Sequence, residues 1–314
     1  MNRRYNAYSD YLVGKYGEKV YRLPVNLPLT CPNRDGQVGE GGCTFCAEVG
    51  AGFEAFESSV SIKDQLLSNM EYIGGKYKAR KFIAYFQNYT NTYADKETFR
   101  SYLEEALLEN VVEIAISTRP DAISDEYLQI MKEIEQKGVA ISIELGLQTV
   151  NYHTLKSINR GHTLAEFIDA AIRIKKFGFE SCAHVILNLP GDDMLDVIET
   201  AKIISALGVD GVKLHSLYIT KCSQMALEYE RGELQISSLD EYVKRAAIFM
   251  GYLSRDVVIE RLVGRAPEED TLFCNWNTSW WKIKDMIERY MDSNDIYQGK
   301  FCDYLNGKAL RRWE

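Results

Sequence analysis

The stretch VVEIAISTRPDAISDEYLQIMKEIEQKGVAISIELGLQ, Val111 to Gln148, decides the fold. Its opening, VVEIAISTRP (111–120), is rich in β-branched residues and ends at proline, which predicts a strand. SDEYLQIMKEIEQKG (124–138) begins at a serine cap, carries Leu128, Met131 and Ile134 at helical spacing, and stops at glycine. VAISIELGLQ (139–148) returns to a strand pattern. Strand, helix, strand predicts two parallel strands joined by a crossover helix.

The same alternation extends both ways. KFIAYFQ (81–87) reads as a buried strand, and KETFRSYLEEALLE (96–109) spaces Phe99, Leu103, Ala106 and Leu107 as a helix does. TLAEFIDAAIRIKKFG (163–178) opens on the capping pair Thr163 and Glu166 and closes on Gly178. SCAHVILNLPG (181–191), DMLDVIETAKIISALG (193–208) and GVKLHSLYI (211–219) continue as strand, helix, strand. With KVYRLPV (19–25) as the first strand there are six, which predicts an α/β fold, a partial (β/α)6 TIM barrel over residues 1–235. Beyond residue 235 the alternation fades. SSLDEYVKRAAIFMGYL and SWWKIKDMIERYM read as helices, so residues 236–314 are expected to form a mainly helical extension.

With 314 residues and 46% hydrophobic content, the chain can bury one large core with a smaller appendage. It contains no apolar run near the roughly 18–20 residues of a membrane span, and MNRRYNAYSDYLVGKYGEKV has no apolar core of a secretory signal. A cytoplasmic protein without a membrane partner is expected. The net charge of −8 argues against broad, nonspecific nucleic-acid binding. Arg3, Arg4, Lys15, Lys19 and Arg22, and the run KYKARK (76–81), are read as solvated surface. The seven cysteines, in a compartment that keeps thiols reduced, point to metal binding or chemistry rather than disulfides.

Three of them, Cys31, Cys43 and Cys46, lie in CPNRDGQVGEGGCTFC (31–46), spaced Cys-x11-Cys-x2-Cys. Two thiolates two residues apart bind one centre from a tight turn, a geometry that serves zinc and iron–sulfur clusters alike. Gly36, Gly39, Gly41 and Gly42 let the backbone wrap a bulky object. A structural zinc wants a fourth ligand. Cys182, Cys222, Cys274 and Cys302 are scattered, and His153 and His162 lack finger-like spacing. Three cysteines suit a four-iron cluster with one iron left open. The spacing alone leaves zinc open as well.

This pattern, with a three-cysteine loop ending CTFC after the first strand, resembles the radical S-adenosylmethionine (SAM) superfamily. The usual loop there is Cys-x3-Cys-x-aromatic-Cys, so the first gap here is longer. STRPD (117–121), ELGLQT (144–149), INRGHT (158–163) and LNLPGD (187–192) look like the core of the Elongator catalytic subunit, which modifies wobble uridine in tRNA, and more distantly like oxygen-independent coproporphyrinogen oxidase. The resemblance covers about residues 19–235. As a whole the chain most resembles a small bacterial family of Elongator-like radical SAM proteins without the acetyltransferase domain.

The resemblance implies that Cys31, Cys43 and Cys46 ligate three irons of a 4Fe-4S cluster whose fourth iron binds SAM. Reductive cleavage of SAM then yields a 5′-deoxyadenosyl radical. Phe45 is expected beside the adenine, and Gln148 and Arg160 at the SAM ribose and carboxylate, with Glu144 on the same strand end. Gln87 and Asn88, in YFQNYTNTY (85–93), stand where the family has a Gly-Gly-Glu-like turn. Ser117 and Arg119 are placed at the cofactor pocket, and Asp121, His184 and Tyr218 are candidates for the chemistry. The implied partners are tRNA and an electron donor such as flavodoxin or ferredoxin, with a small metabolite or a protein as the alternative substrate. A noncatalytic zinc-containing RNA- or protein-binding barrel is the competing reading from another class. An electron-transfer iron–sulfur protein is a third, and it leaves the strand-end motifs unexplained.

For the remaining residues the plain readings are structural. His184 and His215 lie in apolar strands and suit hydrogen-bonded core positions, and Cys222 reads as an ordinary thiol. Lys213 and Tyr218 end the last strand and face either substrate or the core. Phe273, Trp276, Trp280 and Trp281 read as a small core for the extension, with base stacking as the alternative.

Overall fold

The computed structural model describes residues 3–46, 56–266 and 268–313. The first half holds α1 (Tyr8–Tyr16), β1 (Val20–Val25), α2 (Ile62–Tyr77), β2 (Lys81–Phe86), α3 (Lys96–Glu105), β3 (Val111–Thr118), α4 (Asp125–Glu135) and β4 (Ala140–Gln148). Next come α5 (Tyr152–Ser157), α6 (Leu164–Phe177), β5 (Glu180–Ile186), α7 (Met194–Leu207) and β6 (Gly211–His215). The chain then forms β7 (Ile219–Thr220), α8 (Gln224–Glu230), α9 (Leu239–Tyr252), β8 (Val258–Arg261), β9 (Thr271–Phe273) and α10 (Trp280–Ser293). Seven strands make one parallel sheet in the order β1-β2-β3-β4-β5-β6-β8, and β7 and β9 pair antiparallel apart from it.

The alternation of strand side chains gives the sheet two different faces. Ile114 and Ile116, Ile141, Ile143 and Leu145, Ala183 and Val185, and Val212 and Leu214 share one hydrophobic core with Phe99, Leu128, Phe167 and Ile174 of the covering helices. The intervening positions put Tyr85, Ser117, Glu144, His184 and Lys213 on the opposite face, where they hydrogen-bond to one another. The sheet is therefore a curled half-barrel with a polar concave face. Thr163 and Glu166 close a capping box on α6, and Asp193 caps α7, whereas Ser124 stands at the start of α4 without a side-chain cap hydrogen bond.

The N-terminal ends of the strands are closed by α1. Tyr16 Oη donates to Glu113 at 2.5 Å, Tyr11 Oη to Glu180 at 2.6 Å, and Lys15 Nζ lies 2.7 Å from Glu180. Burial pushes the Tyr11 and Tyr16 hydroxyls up, so both stay protonated donors. The opposite ends of the strands stay open, and there the loops gather.

The sheet does not stop at residue 235. Its seventh strand, β8, lies inside the segment expected to be helical, and α9 crosses from β6 to reach it while packing on α7 and α10. The physical reason is length. Four residues at a sheet edge carry too little pattern to stand out between two amphipathic helices. The rest of the C-terminal region is mainly helical, as expected. Among the described residues no helix is long and apolar enough to cross a membrane.

Candidate active site

The cysteine loop is clamped from outside. The backbone N–H of Thr44 donates to Ile158 O at 3.0 Å, and that of Met225 donates to Thr44 O at 2.9 Å. Asn159 Nδ2 reaches Gly42 O at 2.8 Å and Glu40 O at 3.1 Å, while Asn33 Nδ2 returns to Asn159 O at 2.6 Å. Gly161 sits in this clamp at φ +79°, and a Cβ there would stand 2.4 Å from Asn33 Oδ1. The INRGHT stretch is thus the dock on which the loop is shaped.

Clamped this way, Cys31, Cys43 and Cys46 border one cavity at the C-terminal ends of the strands. Two guanidiniums point at the sulfurs: Arg160 Nη1 lies 3.4 Å from Cys43 Sγ, and Arg119 Nη1 lies 4.0 Å from Cys31 Sγ. The Cys46 thiol hydrogen bond, opposed by burial and helped by Arg160, holds Cys43 well below the usual thiol range. Cys46 keeps the proton, pushed up by its bond to Cys43 and by burial. Among the described residues no three His, Cys, Asp or Glu side chains are grouped as ligands of a single metal ion. The three thiols instead border one cavity together with the strand-end side chains.

The other walls come from strand ends. Gln148 closes β4 in a left-handed conformation, φ +73°, at an irregularity in its pairing with β5. A non-glycine residue held there is strained, which is common where a side chain must be aimed. Gly146 keeps the wall open, since a Cβ there would meet Arg160 Nη2 at 2.4 Å. Its carbonyl accepts from Arg160 Nη2 at 2.8 Å and lies 3.0 Å from His162 Nε2. Burial and the Arg160 charge lower His162 to about 3, so it is a neutral imidazole. The buried Arg160 Nε has no acceptor within the protein. This donor set fits an anionic metal–sulfur cluster with a carboxylate-bearing ligand: three thiols, two guanidiniums turned toward them, and one buried donor left over.

The floor is a charged cluster centred on Glu144. Its oxygens accept from Tyr85 Oη at 2.9 Å, Ser117 Oγ at 3.2 Å, His184 Nε2 at 2.7 Å, Lys213 Nζ at 2.5 Å, and the Arg22 guanidinium. Arg22 also reaches Glu260 Oε2 at 2.6 Å and lies between the rings of Tyr8 and Tyr85. Burial opposes ionisation of Glu144, but Arg22, Lys213 and the His184 hydrogen bond overcome it and hold the carboxyl well below its usual range. His184 and His215 stack at 5.3 Å, and burial lowers both, so both imidazoles are neutral at the cavity wall.

Of the residues singled out from sequence, Phe45, Gln87, Ser117, Arg119 and Glu144 line the cavity, as do Gln148, Arg160, His184 and Tyr218. Phe45 also leans on the small core of Ile158, Ile186, Leu217 and Ile219. Two do not reach the cavity. Asn88 is buried with its amide donating to Asn26 Oδ1 at 2.7 Å. Asp121 forms a two-pronged pair with Arg119, at 2.9 and 2.7 Å, and so orients that guanidinium. Arg34, Tyr89, Thr90, Arg261 and Arg265 line the cavity without having been expected there. Arg22, read from sequence as solvated surface, is instead turned inward from β1 onto Glu144 and Glu260, because a buried carboxylate needs a charged partner. Phe273 and Trp276 form a core pair at 5.5 Å, and Trp276 Nε1 donates to Ser237 O at 2.8 Å. Trp280 and Trp281 remain exposed.

A family model for the radical SAM superfamily matches residues 31–204, and one for the radical SAM C-terminal domain matches residues 209–293. The chain is 34% identical over 308 residues to the uncharacterized protein YtqA of Bacillus subtilis, covering 98% of this chain and 95% of that protein. Over 210 residues it is 26% identical to a tRNA uridine(34) acetyltransferase of Methanocaldococcus jannaschii, covering 62% of this chain and 35% of that one. Its fold is similar to that of an archaeal Elp3 from Methanocaldococcus infernus, with a TM-score of 0.69 and 17% identity over 89% of this chain and 64% of that one.

Proposed function

The chain belongs to the radical SAM superfamily, and from that premise we propose that it is an enzyme that cleaves SAM reductively to modify tRNA at a wobble uridine. One observation carries the chemical half of this reading. A single clamped loop turns three thiols into a cavity whose other walls include Gln148 at the end of β4 and Arg160 in the loop between α5 and α6. A 4Fe-4S cluster with SAM would supply a 5′-deoxyadenosyl radical able to take a hydrogen atom from a substrate.

The chain's own residues then have these parts. Cys31, Cys43 and Cys46 hold the cluster, and Arg160 and Arg119 offset its negative charge. The spare Nε of Arg160 and the amide of Gln148 bind the carboxylate and ribose of the cofactor. Phe45 offers its ring to the adenine, and Gln87 borders the same space. Glu144, whose oxygens are engaged by the protein, positions His184 and Lys213 at the floor. His184 and Tyr218 border the space left for substrate. Asp121 positions Arg119.

The tRNA half is supported by the match to the tRNA uridine(34) acetyltransferase and by the Elp3-like fold. It is tested by nucleoside analysis of tRNA from cells with and without the gene. A wobble nucleoside lost on deletion and restored by the wild-type gene, but not by one carrying Cys43→Ala, is the expected result. Identical nucleoside profiles in all strains would turn the search to small molecules or proteins.

A further inference from the structure

The half-barrel is open between its edge strands β1 and β8, and that side is not a bare gap. It is a groove that shares Tyr85, Gln87, Arg261 and Arg265 with the cavity, so the two spaces adjoin. One bank is an N-terminal arm. Ile259 N donates to Asn6 O at 2.8 Å, so the arm runs beside β8, and Arg4 ties it to Asp292 of α10 at 2.7 Å. The other bank is α10 itself, through Trp280 and Lys284. The arm lies outside both segments matched by the family models.

The lining is unlike the chain as a whole. In a protein of net charge −8, the described residues of the groove include Arg3, Arg261, Arg265 and Lys284 against one carboxylate, Glu260. Arg22 also lines the groove, but it is already engaged by Glu260 and Glu144. The acids facing Arg3 and Lys284 are Asp10 at 3.4 Å and Glu288 at 2.8 Å. Such surface pairs are worth little. An exposed ring stands among these cations: Trp280 is 40% exposed and carries the Arg265 guanidinium 4.1 Å from its ring centre. Along the arm Tyr8 is half-buried under Arg22, and Tyr5 is buried with its hydroxyl on Glu288. Cations that track a backbone beside rings that stack bases are what single-stranded nucleic acid needs.

We propose that this open side is a single-stranded RNA groove, with the arm and α10 as its banks, which leads an unpaired nucleotide into the cavity. The inference rests on the tRNA reading given above. An acidic protein segment would use the cations but leave the exposed Trp280 ring without a role.

The test uses the full chain with its cluster, handled without oxygen, and a fluorescent anticodon stem-loop RNA. Binding is followed by anisotropy across a salt series, and SAM cleavage is measured in parallel. Trp280→Ala and the pair Arg3→Glu/Lys284→Glu, none of them in the cavity lining, are compared with Lys176→Glu on the remote helix α6. The groove variants are expected to lose tenfold or more in affinity. The double reversal is expected to flatten the salt dependence, by about 0.7 in the log–log slope for each phosphate no longer neutralised. Lys176→Glu is expected to bind as wild type does, and SAM cleavage to persist in all. Equal affinity in groove variants and control would overturn the groove while leaving the tRNA reading intact. Displacement of the RNA by polyglutamate as readily as by unlabelled RNA would replace it with an acidic protein partner. If the wild type cleaves SAM but binds no RNA, both groove and tRNA reading fall and the radical chemistry stands.

Discussion

Glu144 is the residue on which the barrel converges. Its carboxylate, on β4, is bonded to side chains from β1, β2, β3, β5 and β6, and Arg22 and Lys213 extend the network to Glu260 on β8. Removing the charge in Glu144→Gln leaves two buried cations undercompensated and is expected to destabilise the fold by about 3–5 kcal/mol, read as a lower denaturant midpoint with an unchanged slope. The sign of its pH dependence follows from the depressed carboxyl. The stabilisation is present above the unfolded value near 4.5 and is lost as pH falls through the lower folded value. Wild type and variant should therefore converge only in acid. Gly161 makes a second residue-scale prediction. At φ +79°, with a Cβ clashing at 2.4 Å with Asn33, Gly161→Ala should cost about 1–3 kcal/mol and loosen the cysteine loop. Lower iron content after reconstitution, with the circular dichroism spectrum retained, is the measurement. From sequence the cysteines were visible as a spacing. That INRGHT is their clamp was not, because the hydrogen bonds that show it join residues more than a hundred positions apart.

At the scale of elements, caps and periodicity were legible wherever a helix was long and amphipathic. Thr163 and Glu166, Ser124, and Gly178 mark ends that the structure keeps within a residue or two. The strands were legible as apolar runs, yet their polar members fall at alternate positions in VVEIAIST, AISIELGLQ, ESCAHVI and GVKLH. Those positions form the concave face. Short apolar strands invite the reading of lone polar residues as incidental, and only the curl of the sheet brings them together. β8 escaped for want of length. The entrance to α7 gives a further prediction. Burial pushes the Asp192 carboxyl up to about 6, against hydrogen bonds from Thr154 and Thr149 that lower it. A raised acid favours the neutral form, so its stabilisation is full below about 3.8 and is lost as pH rises through 6. Asp192→Asn should raise stability at pH 7 by about 1–2 kcal/mol and abolish that decline, as thermal melts between pH 4 and 8 would record.

At the scale of the whole molecule, the two ends of the barrel do different work. α1 seals the N-terminal strand ends with tyrosines and a lysine on Glu113 and Glu180, while the open ends hold the thiols, the strained Gln148 and the charged floor. Fold class was legible because strand and helix alternate along the core. The side groove was not, because its cations come from the two ends of the chain. The central claim is that the cysteine loop holds a SAM-cleaving cluster, and it is tested most directly by one assay. The chain is purified without oxygen, reconstituted with iron and sulfide, and given SAM and a strong reductant, with and without tRNA. 5′-Deoxyadenosine is then measured beside a Cys43→Ala/Cys46→Ala variant. Product is expected from the wild type and none from the variant. A wild type that carries zinc and forms no 5′-deoxyadenosine under either condition, or a variant as productive as wild type, would contradict it.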